Sequence, residues 1–496
     1  MTTTSGVDDR TPVLVGAGQL SQRVDRGEPP LEPAELMAEA LRSAITDAGA
    51  PGLLAAVDSI RVMSVLSWPY RDPGAEVARR TGATPRHTSL TVLSGNYPQT
   101  TLNRAAADIA AGRADVVVVC GAEAWRSRAA APAGEGLTWT TQGDDVAPDE
   151  VVGDGDPELS SPEEVARGVF MPIQVYPMFD VALRAAAGLG VDEHRRRLGA
   201  LWSRFSDVAA TNPNAWIRQH FSPEEVATPT PQNRMVGFPY TKLMNSNNNV
   251  EQGAAVVLCS AAAARAAGVP TDRWVFPHVG TDAHDHWYVT ERWDLHSSPA
   301  IRIAGNRALD LAGVGPDELA HVDLYSCFPS AVQVAADELG LGTQRQLTVT
   351  GGMSFAGGPW GNYVTHAIAT MADVLRRDPG SMGLVTGNGG YLTKHSFGVY
   401  STTPPAQPFR WEDCQTEVDA TPKRRGAPDH HGAVTVESYT VMHGRDGAET
   451  ALAACLTSEG ARCWARSTDA ELMARLMAEE CVGLAADLDP DGTLHI

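Results

Sequence analysis

Gly95-Asn96-Tyr97 and Gly361-Asn362-Tyr363 are the same tripeptide, 266 positions apart. Three further pairs keep nearly that spacing. Pro33-Ala34 and Pro299-Ala300 each open a stretch rich in alanine that ends in glycine, residues 33–49 and 299–313. Apolar runs end at Gly121 and Gly387, and Val57-Asp58 returns as Val322-Asp323, 265 apart. A single match is chance; four at an almost constant offset mark a duplicated unit.

The first copy of that unit alternates strand and helix. Residues 12–16 (PVLVG) read as a buried strand, 33–49 as a helix, 57–65 and 87–93 as strands, and 98–112 as a helix with alanine at helical spacing. Residues 114–120 (ADVVVVC) carry four valines with no polar alternation, the pattern of a strand covered on both faces. The order predicts an α/β fold, a sheet sandwiched by helices, occurring twice.

Two stretches fall outside the repeat. Residues 125–249 read as an insertion. Its segment 144–164 holds nine carboxylates and no Lys or Arg, which predicts a solvated loop. A helix follows over 192–205 with Arg195, Arg196, Arg197 and Arg204, then a stretch ending in PYTKLMNSNNN. The tail from 402 opens on a proline-rich linker. Short β-rich runs at 434–442, 449–456 and 460–467 and a helix over 469–480 predict an appended β-rich domain, OB-like in its strand lengths.

Composition narrows the function. A chain of 496 residues exceeds one core, and 39 basic against 60 acidic side chains leave a net charge of −21. That excludes a nucleic-acid-coating surface and an anionic-membrane binder, which need clustered positive charge. Seven cysteines without tight spacing form no disulfide framework, and the polar start of the chain shows no leader pattern. No apolar run reaches bilayer length, so a cytoplasmic protein without membrane insertion is expected.

A duplicated α/β half with an insertion and glycine-rich strand ends resembles the thiolase superfamily. Residues 250–268 (VEQGAAVVLCSAAAARAAG) are similar to the strand and helix that close the first thiolase half. The tail makes the chain look like the thiolase-like proteins, of the acetyl-CoA acetyltransferase type, that carry an additional C-terminal domain. The resemblance implies a thiolase half at 10–124, an inserted loop domain at 125–249, the closing strand and helix at 250–272, a second half at 273–401 and the added domain at 402–496.

Thiolases gather four loops around one site, and this sequence departs from each. Where they read C-x-S-G, residues 93–98 read LSGNYP, without the reactive cysteine. The N-E-A-F loop is Tyr325-Ser326-Cys327-Phe328, close to the H-D-C-F of sterol-carrier-type thiolases. Gly358 stands for the histidine of G-H-P, and Gly387-Asn388-Gly389 replaces C-x-G. Thiolysis needs a thiolate nucleophile and a second cysteine to move the α-proton, so a degradative thiolase is not expected. Ser94 as substitute nucleophile lacks its base, because that position is Gly358.

Cys327 is the remaining nucleophile. It precedes a helix opened by Phe328-Pro329-Ser330, whose positive end would favour the thiolate; a small buried cysteine is the equal alternative. His395, beyond the Gly387-Asn388-Gly389 turn, is the candidate base, against a histidine merely hydrogen-bonded in a loop; His366 reads as core. The glycine-rich turns at 387–390, with Gly389, and at 351–352 can present N–H groups to a thioester carbonyl, and Asn96 and Asn388 could add side-chain donors, ordinary strand-end turns being the alternative; the loop of Gly358 allows close approach of a pantetheine arm or is merely a tight turn. Acyl-CoA or CoA is the implied partner, a co-substrate with no tightly bound cofactor, and the implied setting is lipid metabolism. Arg195, Arg196, Arg197 and Lys242 are candidates for its phosphates, a solvated helix face being the alternative. His284-Asp285-His286 lacks a third ligand, so no metal is expected. Two functions stand: an acyltransferase acting through Cys327 and His395, or an acyl-CoA-binding protein that has lost the chemistry. A homodimer through strand 87–93, or an assembly through the added domain, stays open.

Overall fold

The computed structural model describes residues 6–23, 30–131 and 136–496. Its two central sheets repeat one design. In the first, strands run in the order Pro12–Ser21, Glu251–Ser260, Val116–Ala124, Ser59–Val62, His87–Thr91 and Glu150–Val152. In the second, the corresponding order is Phe276–His284, Lys394–Ser401, Met382–Gly389 and Leu319–Asp323, with Arg410–Asp413 beside the first of these. Both begin with two antiparallel pairings and then a parallel one. The internal repeat is therefore a repeat of topology.

Five layers result. The helix Pro33–Asp47 covers the outer face of the first sheet, the helices Tyr97–Ala110 and Tyr363–Arg377 lie between the sheets, and Asn306–Ala312 covers the second sheet. Each central helix begins at one copy of the Gly-Asn-Tyr tripeptide. Every residue of Val116–Ala124 is buried, because helices pack on both of its faces, as its unbroken valines require. The helix anticipated over 299–313 starts with a π turn, Ile301–Gly305, before turning α-helical.

The acidic segment is largely exposed, as expected of a solvated loop, but it is anchored to the core. Its strand Glu150–Val152 pairs in parallel with residues 89–91 and covers the outer edge of the first sheet. Its acids find local partners: Glu150 meets Arg104 at 2.6 Å, and Asp156 meets Lys394 at 2.6 Å and the Tyr97 hydroxyl at 2.8 Å. Glu164 is buried and accepts from the Thr290 N–H and hydroxyl, both at 2.7 Å. Paired acids need not repel a chain into solvent.

The tail forms the strands Gly432–His443, Ala448–Leu456, Arg462–Ser467, Ala485–Leu488 and Leu494–His495, with the helix Ala470–Ala478 between the third and fourth. An isolated parallel bridge joins Arg466 of the third strand to Thr493, just ahead of the fifth. The last two strands are short and were not anticipated. The tail packs on the insertion helix Pro172–Ala186. Arg184 of that helix, 1% exposed, bonds Glu480 at 2.9 Å and the Tyr439 hydroxyl at 2.7 Å. Buried Arg462 donates to the carbonyls of Val289, Thr290 and Arg292 and pairs with Glu437, tying the tail to the second half. Among the described residues no helix is long and apolar enough to cross a membrane.

Candidate functional site

Both Gly-Asn-Tyr copies and two strand-end turns open onto one cavity of about 370 Å3. Residues 93–95, the pair Trp360 and Gly361, the turn of Tyr325, Cys327 and Phe328, and residues 388–391 form its floor and sides. The insertion closes it with residues 171–173, Tyr176, Asn245, Ser246 and Asn248. Among the described residues its lining is mostly apolar and holds no Asp, Glu, Lys, Arg or His.

Cys327 lies at the centre of the polar groups. It follows the strand Leu319–Asp323 and stands just ahead of the helix Pro329–Glu338. The helix end was expected to favour a thiolate. Burial outweighs it and pushes the thiol up to about 12, although the N–H groups of Phe328 and Cys327 and the Asn388 amide bond toward the sulfur. A helix terminus contributes far less than removing a charge from water. Cys327 is therefore a neutral thiol near pH 7.

Tyr176 was not singled out from the sequence. Its hydroxyl donates to the Gly390 carbonyl at 2.9 Å and accepts from Asn388 Nδ2 at 2.9 Å and from the Leu392 N–H at 3.1 Å. Burial, then the adjacent Cys327, hold its phenol well above the ordinary value. Its ring stacks on Phe328 at 4.6 Å. Asn388 Nδ2 lies 3.9 Å from Cys327 Sγ, while its Oδ1 is buried without a partner. Tyr176, Asn388 and Cys327 thus form one uncharged cluster of polar hydrogens. The only signal for Tyr176 was an aromatic residue in a helix of an otherwise unreadable insertion.

His395 is not brought to Cys327. Its Nε2 faces the Leu392 carbonyl at 3.1 Å and Asp285 Oδ2 at 3.7 Å, and it lines a separate void of about 10 Å3. No hydrogen bond joins it to Cys327 among the described residues. Burial pushes the Asp285 carboxyl up, but bonds from His395 and Ser298 and the charge of Arg292 outweigh that and hold it low. The Nε2 of the ring is thus held by the Leu392 carbonyl, with this carboxylate at ion-pair distance. Asp285 also accepts from the Ala300 N–H at 3.0 Å, while His284 meets the Asp285 carbonyl and His286 the carbonyls of Thr421 and Pro422. The three neighbours diverge. His366 is core, as its helical position implied, and burial pushes it down to about 3.

Ser94 lines the cavity, and its hydroxyl donates to Asn96 Oδ1 at 2.7 Å. A proton resting on an amide oxygen is not being abstracted, so Ser94 has no activating base. Asn96 donates to Thr100 at 3.3 Å, and Thr100 donates to Asp282, whose carboxyl burial raises to about 6. Gly389 backs onto this pair: a Cβ there would overlap the Ser94 hydroxyl. Gly358 is equally constrained, since its Cβ would overlap the Ser246 hydroxyl and lie 3.0 Å from Asn248 Oδ1. The space a histidine would use is already filled.

The four basic candidates stay outside. Arg195 pairs with Asp192 at 3.0 Å and Arg197 with Glu193 at 2.7 Å along the exposed face of the helix Val191–Thr211. Arg196 and Lys242 are exposed, and none of the four lines the cavity.

Comparison with known proteins agrees with this layout. Residues 413–493 match the family described as "Thiolase-like protein type 1 additional C-terminal domain". No curated protein matches the chain. Among solved structures, a monomeric SCP2-thiolase like protein type 1 from Mycobacterium smegmatis superposes with a TM-score of 0.84 at 32% identity, covering 99% of this chain and 100% of its own. The Ltp2-ChsH2(DUF35) aldolase is similar in fold, with a TM-score of 0.59 at 21% identity, covering 79% of this chain and 98% of its own.

Proposed function

The chain belongs to the SCP2-thiolase-like proteins of type 1, and from that premise we propose that it binds an acyl-CoA thioester with the acyl group in the 370 Å3 cavity. In this reading the thioester carbonyl is polarised by neutral donors, Asn388 and the Cys327 thiol, and is not attacked by a resting thiolate. The observation that carries it is the lining itself: apolar walls, one cluster of uncharged polar hydrogens and no carboxylate or imidazole to take a proton. Such a site suits binding and polarisation of a carbonyl.

A second reading, acyl transfer through Cys327, draws support from the groups that bond toward its sulfur. Two backbone N–H groups and Asn388 would stabilise a thiolate once one formed. Incubation with a panel of acyl-CoAs, with CoA affinity measured in parallel, separates the two. Binding without a covalent adduct supports the first. A thioester that disappears in Cys327→Ala supports the second, and absence of any CoA-dependent binding overturns both.

A further inference from the structure

A second cavity, of about 330 Å3, lies at the far end of the helices that wall the first. The insertion helix Pro172–Ala186 lends its first turns to the Cys327 cavity and Leu183 to this one. The helix Pro329–Glu338 begins beside Phe328 and reaches this cavity with Gln333 and Asp337. The third wall is one face of Val191–Thr211, from His194 through Ala200 and Leu201 to Arg204. Ten helical residues separate the two polar ends, about 15 Å of rise. Between them Ala200, Leu201, Leu183, Ala187 and Leu189 form an aliphatic strip in a lining that is otherwise polar, with Arg197, Gln333, Asp337, Thr343 and Gln344.

Both polar ends are incompletely satisfied. Arg204 donates one Nη to the Thr343 carbonyl, but its Nε is buried without an acceptor, and it has no ion-pair partner among the described residues. His194 is 3% exposed; its Nε2 meets Asp180, and its Nδ1 is buried without a partner. A buried donor left unmet is costly, and a guanidinium is best met by a carboxylate. Asp337 lies at the exposed rim and is not paired with Arg204. We propose that this trough is a binding site for an amphipathic carboxylate of medium chain length, its headgroup on Arg204 and its chain along Ala200, Leu201 and Leu183 toward His194.

The site is wired to the first cavity. Asp180, which holds His194, also accepts from Gln333 Nε2 at 3.1 Å and from the Tyr240 hydroxyl. The Ser330 N–H donates to that hydroxyl at 3.0 Å, fixing the helix start next to Cys327, and the Tyr240 ring stacks on Phe328 at 5.8 Å. A ligand that moves His194 or Gln333 therefore reaches Ser330 by hydrogen bonds and Phe328, the residue next to Cys327, by a ring contact.

Calorimetry on the full chain with octanoate, and with octanol as its uncharged counterpart, tests the proposal. Octanoate is expected to bind one per chain, at least about tenfold more tightly than octanol, and Arg204→Gln to remove that preference. Ala200→Phe, which fills the trough one turn from Arg204, is expected to abolish binding of both. No octanoate binding, equal affinity for the two probes, or binding that survives both substitutions would each overturn the site. Saturating octanoate is also expected to change the alkylation rate of Cys327 at least twofold in the native chain and not in Arg204→Gln. An unchanged rate refutes the coupling. None of these residues lines the Cys327 cavity, so failure of CoA to bind there has no bearing on the result.

Discussion

Gly358 and Ser246 exclude one another's side chains: a Cβ on Gly358 would overlap the Ser246 hydroxyl. Restoring the thiolase histidine is therefore a steric problem before it is a chemical one. Gly358→His is expected to lose about 1–3 kcal/mol of stability, the usual range for overpacking. It is also expected to gain no thiolysis of acetoacetyl-CoA. Urea unfolding of Gly358→His with and without Ser246→Gly checks the cause, the second change recovering part of the loss. An unaltered midpoint in the single variant would contradict the packing argument.

Cys327 sets a clear pH signature. Its thiol is pushed up to about 12, so the neutral form dominates below that value and the thiolate fraction grows as pH rises. Alkylation specific to Cys327 is expected to accelerate about tenfold per pH unit from 7 to 10, without a plateau. Mass spectrometry against Cys327→Ala isolates the signal. A plateau below pH 8 would show a resting thiolate and favour acyl transfer.

Tyr176→Phe removes one oxygen and strands two donors, the Leu392 N–H and Asn388 Nδ2. Such a loss costs about 1–3 kcal/mol, because a buried donor is left unpaired while the aromatic stack on Phe328 persists. CoA affinity is expected to fall as Asn388 loses its anchor. If stability drops and affinity does not, Asn388 is held by the ladder of Met382–Gly389 and the tyrosine is structural.

The strand Glu150–Val152 occupies the edge on which a second chain would pair. Light scattering is expected to give a monomer across the micromolar range. Val151→Pro, which takes an N–H out of that strand, is expected to loosen the edge and produce concentration-dependent association. A native dimer whose contact runs through His87–Thr91 would show that the acidic strand swings aside.

The fold was legible because its signals are local and repeated. The unbroken valines at 116–119 and the matched tripeptides at 95 and 361 are properties of short stretches, and each became a buried strand or a helix start. The Cys327 turn was legible through its neighbours at 325–328. What sequence did not disclose depends on which distant group wins a side chain. His395 stands only a few positions beyond the turn it was expected to serve, yet its Nε2 turns to the Leu392 carbonyl and the Asp285 side. Tyr176 is about 150 positions from Cys327 and enters the site on an insertion helix of no recognisable motif. The helix end at Pro329 was visible as well, but the burial that overrides it comes from residues contributed by three other segments.

Arg184 gives the C-terminal domain a different standing from the one its boundaries imply. Residues 413–493 form a unit by pattern, but the partners of this almost fully buried guanidinium, Glu480 and Tyr439, both lie within it. A chain that lost the unit would strip that guanidinium of both partners and bare the face of the helix Pro172–Ala186 on which the tail packs, the helix that also walls the Cys327 cavity. The domain and the insertion are thus a single unit of inheritance: neither can be transplanted into another scaffold, or trimmed from this one, without carrying its counterpart along.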